Sequence, residues 1–351
     1  MKPKILHIID SLGIGGAEKL LAGTINELEE YEQHLIILGG SERLCSEITA
    51  TYQFTNLKCN SFSQLFFKVS VVKKYIKKHK IDIVHSHLYE ANLLARLATP
   101  KSVRLINSIH AISSLASYKI NRLSLHLEKM TYKKRHELIA VSKAVLDDFD
   151  EWVGVKGKAE VLYNFIDEKH FTAKPKTNYS LDEIKLVAVG NLRWQKNYPY
   201  LLEAFKKISG PVSLDIYGEG SLRNELQEII DKYNLPVKLC GVYNELEKIL
   251  PQYDAFVMAS FYEGQPVSLL EATALGVPAI LADIPVLRET AGDNAVYFDI
   301  KNPESFCDAV ENIKAGKYDL KKMAAANRTA IEGFAHREQF INRLKLIYQS
   351  A

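Results

Sequence analysis

The chain has 351 residues, more than one hydrophobic core usually organises, so two domains of roughly 150 to 180 residues each are expected. Its composition, 47% hydrophobic and 25% charged with a net charge of +3, is that of a globular protein and excludes disordered, collagenous and low-complexity classes. Cys45, Cys59, Cys240 and Cys307 are scattered without a C-x-x-C pair, which argues against a zinc site or a disulfide framework and suits reduced thiols in the cytoplasm.

The first element is the strand KILHIID, ended by Asp10 and too short for a signal sequence. No stretch approaches roughly 18 apolar residues, so nothing is expected to span a membrane. A glycine-rich loop SLGIGG, a helix AEKLLAGTINELEE and a strand QHLIILGG complete a β-α-β wind. Strand candidates follow at IDIVHSH (81–87), VRLINSIH (103–110) and ELIAVS (137–142), separated by the helical periodicity that parallel strands require. After VLYNFID (161–167) and the polar stretch KPKTNYSLDE the pattern restarts: KLVAVGN, helix YPYLLEAFKKI, VSLDIYG, helix LRNELQEIIDKY, VKLCG, AFVMAS, helix SLLEATAL, PAILAD and AVYFD. The expected organisation is an α/β domain at 1–170 and a second at 171–336. A last helix within 337–351, with Phe340, Leu344 and Ile347 on one stripe, is expected to cross back to the first.

Charge is unevenly spread. Residues 58–135 hold 16 Lys and Arg against Asp82, Glu90 and Glu128, a local excess of about 13 positive charges. The runs KVSVVKKYIKKHK and KMTYKKRHE read as amphipathic helices with basic outer faces, suited either to anionic lipid or simply to water. No recognised nucleic-acid motif accompanies them, so nucleic acid is not an expected partner.

In open parallel sheets ligands sit beyond the carboxyl ends of the strands, where most of the polar clusters here fall. Gly13, Gly15 and Gly16 follow a strand and open a helix, which suits either an anion held by backbone amides or tight strand-helix packing. The spacing is not G-x-G-x-x-G, and LIILGG ends without the acid that would hold a ribose, so a nicotinamide dehydrogenase is disfavoured. The most informative block is SFYEGQPVSLLEATALGVP (260–278). Glu263 stands at a strand end, Pro266 suits a first helical turn, and Glu271 lies among Leu269, Leu270, Ala272 and Ala274. A carboxylate there must be paired, hydrogen-bonded or used, and two vicinal sugar hydroxyls would satisfy it.

The block E-G-Q-P-V-S-L-L-E-A resembles the E-x7-E signature of glycosyltransferase family 4. GGAE (15–18), DIVHSHL (82–88), SIHA (108–111), IAVS (139–142), YNFID (163–167), VGNLRWQKN (189–197), IYGEG (216–220) and VLRE (286–289) resemble further family blocks in family order. The resemblance implies the GT-B fold, two Rossmann-like doubly wound domains facing a central cleft. It implies that Glu271 binds the ribose hydroxyls of a UDP-sugar or GDP-sugar, and that Glu263 with the backbone of Gly264, Gln265, Pro266 and Val267 contacts the donor sugar and phosphate. Lys196 and Arg193 would hold the diphosphate, Gly15 and Gly16 would present the amide that meets it, and His110 would stand beside the reacting sugar. Asn191 follows Gly190 where the family often has arginine, which makes Arg193 the second candidate cation.

The same resemblance implies retention of anomeric configuration, no divalent metal and no other cofactor. With the basic first half, it leads to an expected transfer to a glycan or lipid-linked acceptor in bacterial surface-polysaccharide assembly, at the inner face of the cytoplasmic membrane. The alternatives are a nucleotide-sugar 2-epimerase of the same fold and a catalytically silent GT-B binding protein.

Overall fold

The computed structural model describes residues 2–13, 15–59, 61–112, 114, 122–179 and 182–350. The chain forms two compact units, one of Met1–Asn164 with Glu338–Ala351 and the other of Phe165–Arg337.

In the first unit, β1 (Lys4–Ile9), β2 (Glu32–Ile37), β3 (Tyr52–Asn56), β4 (Ile83–His87), β5 (Arg104–Ile109), β6 (His136–Ala140) and β7 (Ala159–Val161) form one parallel sheet. Its order is β3-β2-β1-β4-β5-β6-β7, so the wind reverses between β1 and β4. Crossover helices cover both faces, and β1 accordingly buries Ile5, Leu6, Ile8 and Ile9 completely. Strand β3, which the sequence pattern does not reveal, is a half-exposed edge strand with a single neighbour.

One sheet face, through Leu6, Ile8 and Val84, packs with Leu65, Val72 and Ile76 of helix Phe62–His79. The opposite face, through Ile5, Ile83, Ile106 and Ile139, receives Ile341, Leu344, Ile347 and Tyr348 of helix Arg337–Gln349. Arg104 fastens the end of that helix by donating to the carbonyls of Ile347 (2.6 Å) and Tyr348 (2.7 Å), groups that a helix terminus otherwise leaves without partners.

The second unit is a parallel sheet of β8 (Ile184–Val189), β9 (Val212–Tyr217), β10 (Val237–Gly241), β11 (Ala255–Met258), β12 (Ala279–Ala282) and β13 (Val296–Phe298). The order is β10-β9-β8-β11-β12-β13, which reverses between β8 and β11. Residues 165–170, assigned to the first domain from sequence, pack with this unit. Ile166 pairs with His336, donates its amide to the Ala335 carbonyl (3.0 Å), and shares a cluster with Leu270, Ala274 and Ile331.

Candidate active site

The loops that leave β8 and β11 meet where the strand order of the second unit reverses, the place at which an open parallel sheet leaves a crevice. After β8 the chain runs against the loop after β9. The Gly190 amide donates to Tyr217 O (2.9 Å) and the Leu192 amide to Glu219 O (3.0 Å). That closeness needs glycine, because a Cβ on Gly218 would stand 2.0 Å from Gly190 O. A short 3-10 turn, Trp194–Lys196, then leads into helix Tyr198–Phe205.

This turn is bound to the loop after β11. Phe261 donates its amide to Gln195 O (2.9 Å), Gln195 Nε2 donates to Tyr262 O (2.9 Å), and Trp194 stacks on Phe261 at 4.4 Å. Lys196 Nζ donates to Glu263 Oε1 at 2.7 Å, with both side chains largely buried. Two residues assigned to the diphosphate and the donor sugar are therefore ion-paired with each other. Arg193 is exposed at the start of the turn.

From Glu263 the chain passes through Gly264, Gln265 and Pro266 into helix Val267–Ala274. Pro266 has no N–H, and the Leu269 amide donates to Pro266 O (3.1 Å), so the first-turn donors at this helix start are the amides of Val267 and Ser268. No side chain caps the helix, which leaves a terminus suited to an anion close in sequence to Lys196's partner. Glu271 lies one turn further on, among buried Leu269, Leu270 and Ala272. Its Oε1 is 3.8 Å from His170 Nε2, and burial pushes the His170 pKa down, so that contact is a weak partner for a carboxylate.

In the first unit, Gly15 and Gly16 stand at the start of helix Gly16–Asn26, as the loop pattern requires. The structure adds two acids that the motif does not advertise. A Cβ on Gly15 would meet the Glu18 carboxylate at 2.1 Å, so Glu18 folds back over this helix start. Asp10, at the end of β1, accepts the Ala91 amide at 2.8 Å, and burial raises its pKa to about 7. An anion held by the glycine amides would share the helix start with the Glu18 carboxylate. A carboxylate directly after the apolar pair Ile8 and Ile9 at a strand end is the sequence signal for Asp10.

His110 does not stand alone. Its Nε2 is 3.3 Å from His87 Nδ1, and the His87 ring lies 4.2 Å from that of His85. His85 contacts the Tyr348 hydroxyl through Nδ1 (2.6 Å) and Ser108 Oγ through Nε2 (2.8 Å). Desolvation lowers the pKa of each of these rings, to about 4 for His110 and His7, so the set is neutral at pH 7. His7, His85 and His87 each offer a ring nitrogen within 4.8 Å of the others, a spacing that alone suits an ion. Both His85 nitrogens are already engaged, however, and the group is a buried layer of neutral rings in which the two His7 nitrogens and His87 Nε2 have no hydrogen-bond partner among the described residues. Leu88, the next residue, has φ +72° and ψ 169°, a conformation that costs a non-glycine residue on the order of 1–3 kcal/mol and is found preferentially at functional sites. His87, Ser108 and His110 border a cavity of about 30 Å³ shared with Ala17, Asn164 and Phe340.

Residues 170–330 match the family described as Glycosyl transferases group 1, and residues 14–170 match Glycosyltransferase Family 4. The chain is a glycosyltransferase with the GT-B fold. Among curated relatives, it is 29% identical over 88% of its length to the Campylobacter jejuni N-acetylgalactosamine-N,N'-diacetylbacillosaminyl-diphospho-undecaprenol 4-alpha-N-acetylgalactosaminyltransferase, covering 90% of that protein. It is 23% identical over 91% of its length to the Escherichia coli O-antigen biosynthesis glycosyltransferase WclY, again covering 91% of the relative. Among solved structures, this glycosyltransferase superposes on Anabaena Alr3699/HepE in complex with UDP and glucose with a TM-score of 0.83 at 16% identity, over 99% of this chain and 100% of that one. Sucrose-phosphate synthase from Thermosynechococcus elongatus gives 0.84 at 15% identity, over 99% and 98%.

Proposed function

We propose that this glycosyltransferase is a retaining, metal-independent member of family 4. In this reading it moves a sugar from a UDP-sugar or GDP-sugar to a lipid-linked glycan during bacterial surface-polysaccharide assembly. The observation that carries the reading is the Lys196–Glu263 pair, joined at 2.7 Å where the β8 and β11 loops meet and leading into the uncapped helix Val267–Ala274. Breaking an anomeric carbon–phosphate bond leaves negative charge on the diphosphate, and fixed cations or amides at that point lower the barrier most. Lys196 supplies one such cation, Arg193 is the exposed second, and the helix terminus adds its dipole. Glu271 takes the ribose hydroxyls, Glu263 faces the sugar, and Gly16 and His110 contribute from the first unit's sequence blocks. The acceptor hydroxyl attacks from the face that the diphosphate leaves, and the departing phosphate oxygen takes its proton. Every charge in that step is met by protein groups, which is why no divalent ion is assigned to it.

The acceptor class follows from the relatives, one of which carries diphospho-undecaprenol in its name and another O-antigen biosynthesis. Exposed Lys73, Lys74, Lys77 and Lys78 beside exposed Phe66, Phe67 and Val71 on helix Phe62–His79 support a lipid-borne acceptor. Lys133, Lys134 and Arg135 are exposed as well. Among the described residues no helix is long and apolar enough to cross a membrane, so peripheral contact with anionic lipid is the assigned mode.

The test is transfer from UDP- and GDP-sugars to a polyprenyl-diphosphate-linked glycan, with nucleoside diphosphate release and the anomeric configuration of the product both read, with and without EDTA. Product of retained configuration in EDTA supports the proposal. Inversion, loss of activity on chelation, or epimerised donor without transfer each overturns the corresponding part.

A further inference from the structure

We infer that His87 is a positioning residue for His110: its Nδ1–H donates to His110 Nε2, which fixes the single His110 proton on Nδ1 and turns that nitrogen into an N–H donor. The inference rests on reading His110 as a group that meets the transferred sugar, and it names what His110 offers there. A neutral N–H donor suits a hydroxyl or ring oxygen of the sugar, whereas the other tautomer would present a lone pair.

The argument is one of proton counting. The two nitrogens lie 3.3 Å apart, a hydrogen-bond contact between two rings that burial keeps neutral, so one ring donates and the other accepts. If His110 donated, His87 would carry its proton on Nε2. That atom is buried and has no hydrogen-bond partner among the described residues. His85 cannot accept the proton, because its ring is packed 4.2 Å from that of His87 and both its nitrogens are engaged by Tyr348 and Ser108. Orphaned buried N–H groups are rarer in native proteins than under-satisfied acceptors, so the arrangement that leaves only a lone pair at His87 Nε2 wins. With His87 Nδ1 donating, His110 Nε2 accepts, and a neutral imidazole then has its proton on Nδ1.

The surroundings hold this geometry in place. His87 ends β4 with its backbone in register with Ser108 of β5, two residues before His110. Leu88 follows in its strained conformation, and the His7 ring stacks on that of His87 at 5.8 Å. A ring so confined has little freedom to flip and exchange its nitrogens.

The experiment uses the full chain labelled with 15N-histidine, with long-range proton–nitrogen correlation at pH 7 and His110→Ala for assignment. The expected spectrum has a pyrrole-type Nδ1 and a pyridine-type Nε2 on His110; the reverse pattern overturns the inference. Asparagine can place an N–H near the His87 Nδ1 position and phenylalanine cannot. His87→Asn is therefore expected to preserve the His110 pattern and most of the rate. His87→Phe is expected to mix the His110 tautomers and lower kcat about tenfold, the worth of one hydrogen bond, with donor KM little changed. A folded His87→Phe protein with unchanged kcat overturns the positioning role. If that variant does not fold, the wild-type spectrum and His87→Asn still decide. Full transfer by His110→Ala would instead remove the sugar-contact reading of His110, an outcome separable from the tautomer result.

Discussion

Removing Lys196 should have two separable consequences, one on stability and one on chemistry. Its ammonium and the Glu263 carboxylate are joined at 2.7 Å with side chains 17% and 9% exposed, so Lys196→Met leaves a nearly buried carboxylate without its cation. Loss of one partner from a buried pair typically costs about 3–5 kcal/mol, and the residual exposure here places the expectation at about 3. Loss of an electrostatic stabiliser from a transition state costs about a hundredfold in rate. The discriminating variant is Lys196→Met/Glu263→Gln, which removes the charge as well as its partner. Urea unfolding of the double variant should return to within about 1 kcal/mol of the wild type, since two matched polar changes avoid the uncompensated charge. Turnover at saturating donor should stay at least about a hundredfold down, because the cation is still missing and Glu263, which faces the sugar, is changed as well. If turnover recovers together with stability, Lys196 serves only to hold the β11 loop, and the assignment to the diphosphate is wrong.

Glu271→Ala should raise the dissociation constant for nucleoside diphosphate at least about tenfold, the range for lost charged hydrogen bonds, and calorimetric titration with UDP and GDP checks it. Unchanged affinity for both nucleotides would remove the ribose role. Lys73, Lys74, Lys77 and Lys78 changed together to Glu should abolish co-sedimentation with anionic vesicles, since each basic residue contributes on the order of 1 kcal/mol at such a surface. Equal sedimentation of wild type and variant, or no loss with added salt, would count against membrane contact. Burial holds the His7 pKa near 4 in the folded protein against 6.5 for an ordinary histidine, so its contribution to stability is intact above pH 6.5 and is lost as pH falls toward 4. That difference is worth up to about 3 kcal/mol, and His7→Phe should flatten the pH 4–6.5 dependence of the thermal midpoint. Asp10 has the opposite sign: its pKa is raised to about 7, so its contribution is present below pH 4 and lost as pH rises through 7. Asp10→Asn should therefore be relatively more stable at pH 8 than at pH 5, and parallel pH curves for variant and wild type would refute this.

The sequence by itself carried the alternation of short β-branched runs with helical periodicity, and that alternation implies two parallel-sheet windings because parallel strands need crossovers. It also carried the position of Glu263, Pro266 and Glu271 around a strand-to-helix turn, since local turn and capping chemistry depends on near neighbours. Ile166 shows where this kind of reading stops. Its place in the second unit comes from Ala335 and His336, some 170 residues away, and no local pattern encodes that pairing. The same holds for Lys196 and Glu263, each legible alone as a candidate ligand, whose 2.7 Å contact exists only because β8 and β11 are neighbours at the reversal of the strand order. His85 and His87 could be noticed in the run HSH, but their stacking, their pairing with Tyr348 and His110, and the resulting neutrality depend on strands brought together from distant segments. Periodicity and turns are set by contacts a few residues apart, whereas ion pairs, tautomers and buried charge are set by neighbours that only the folded sheet supplies.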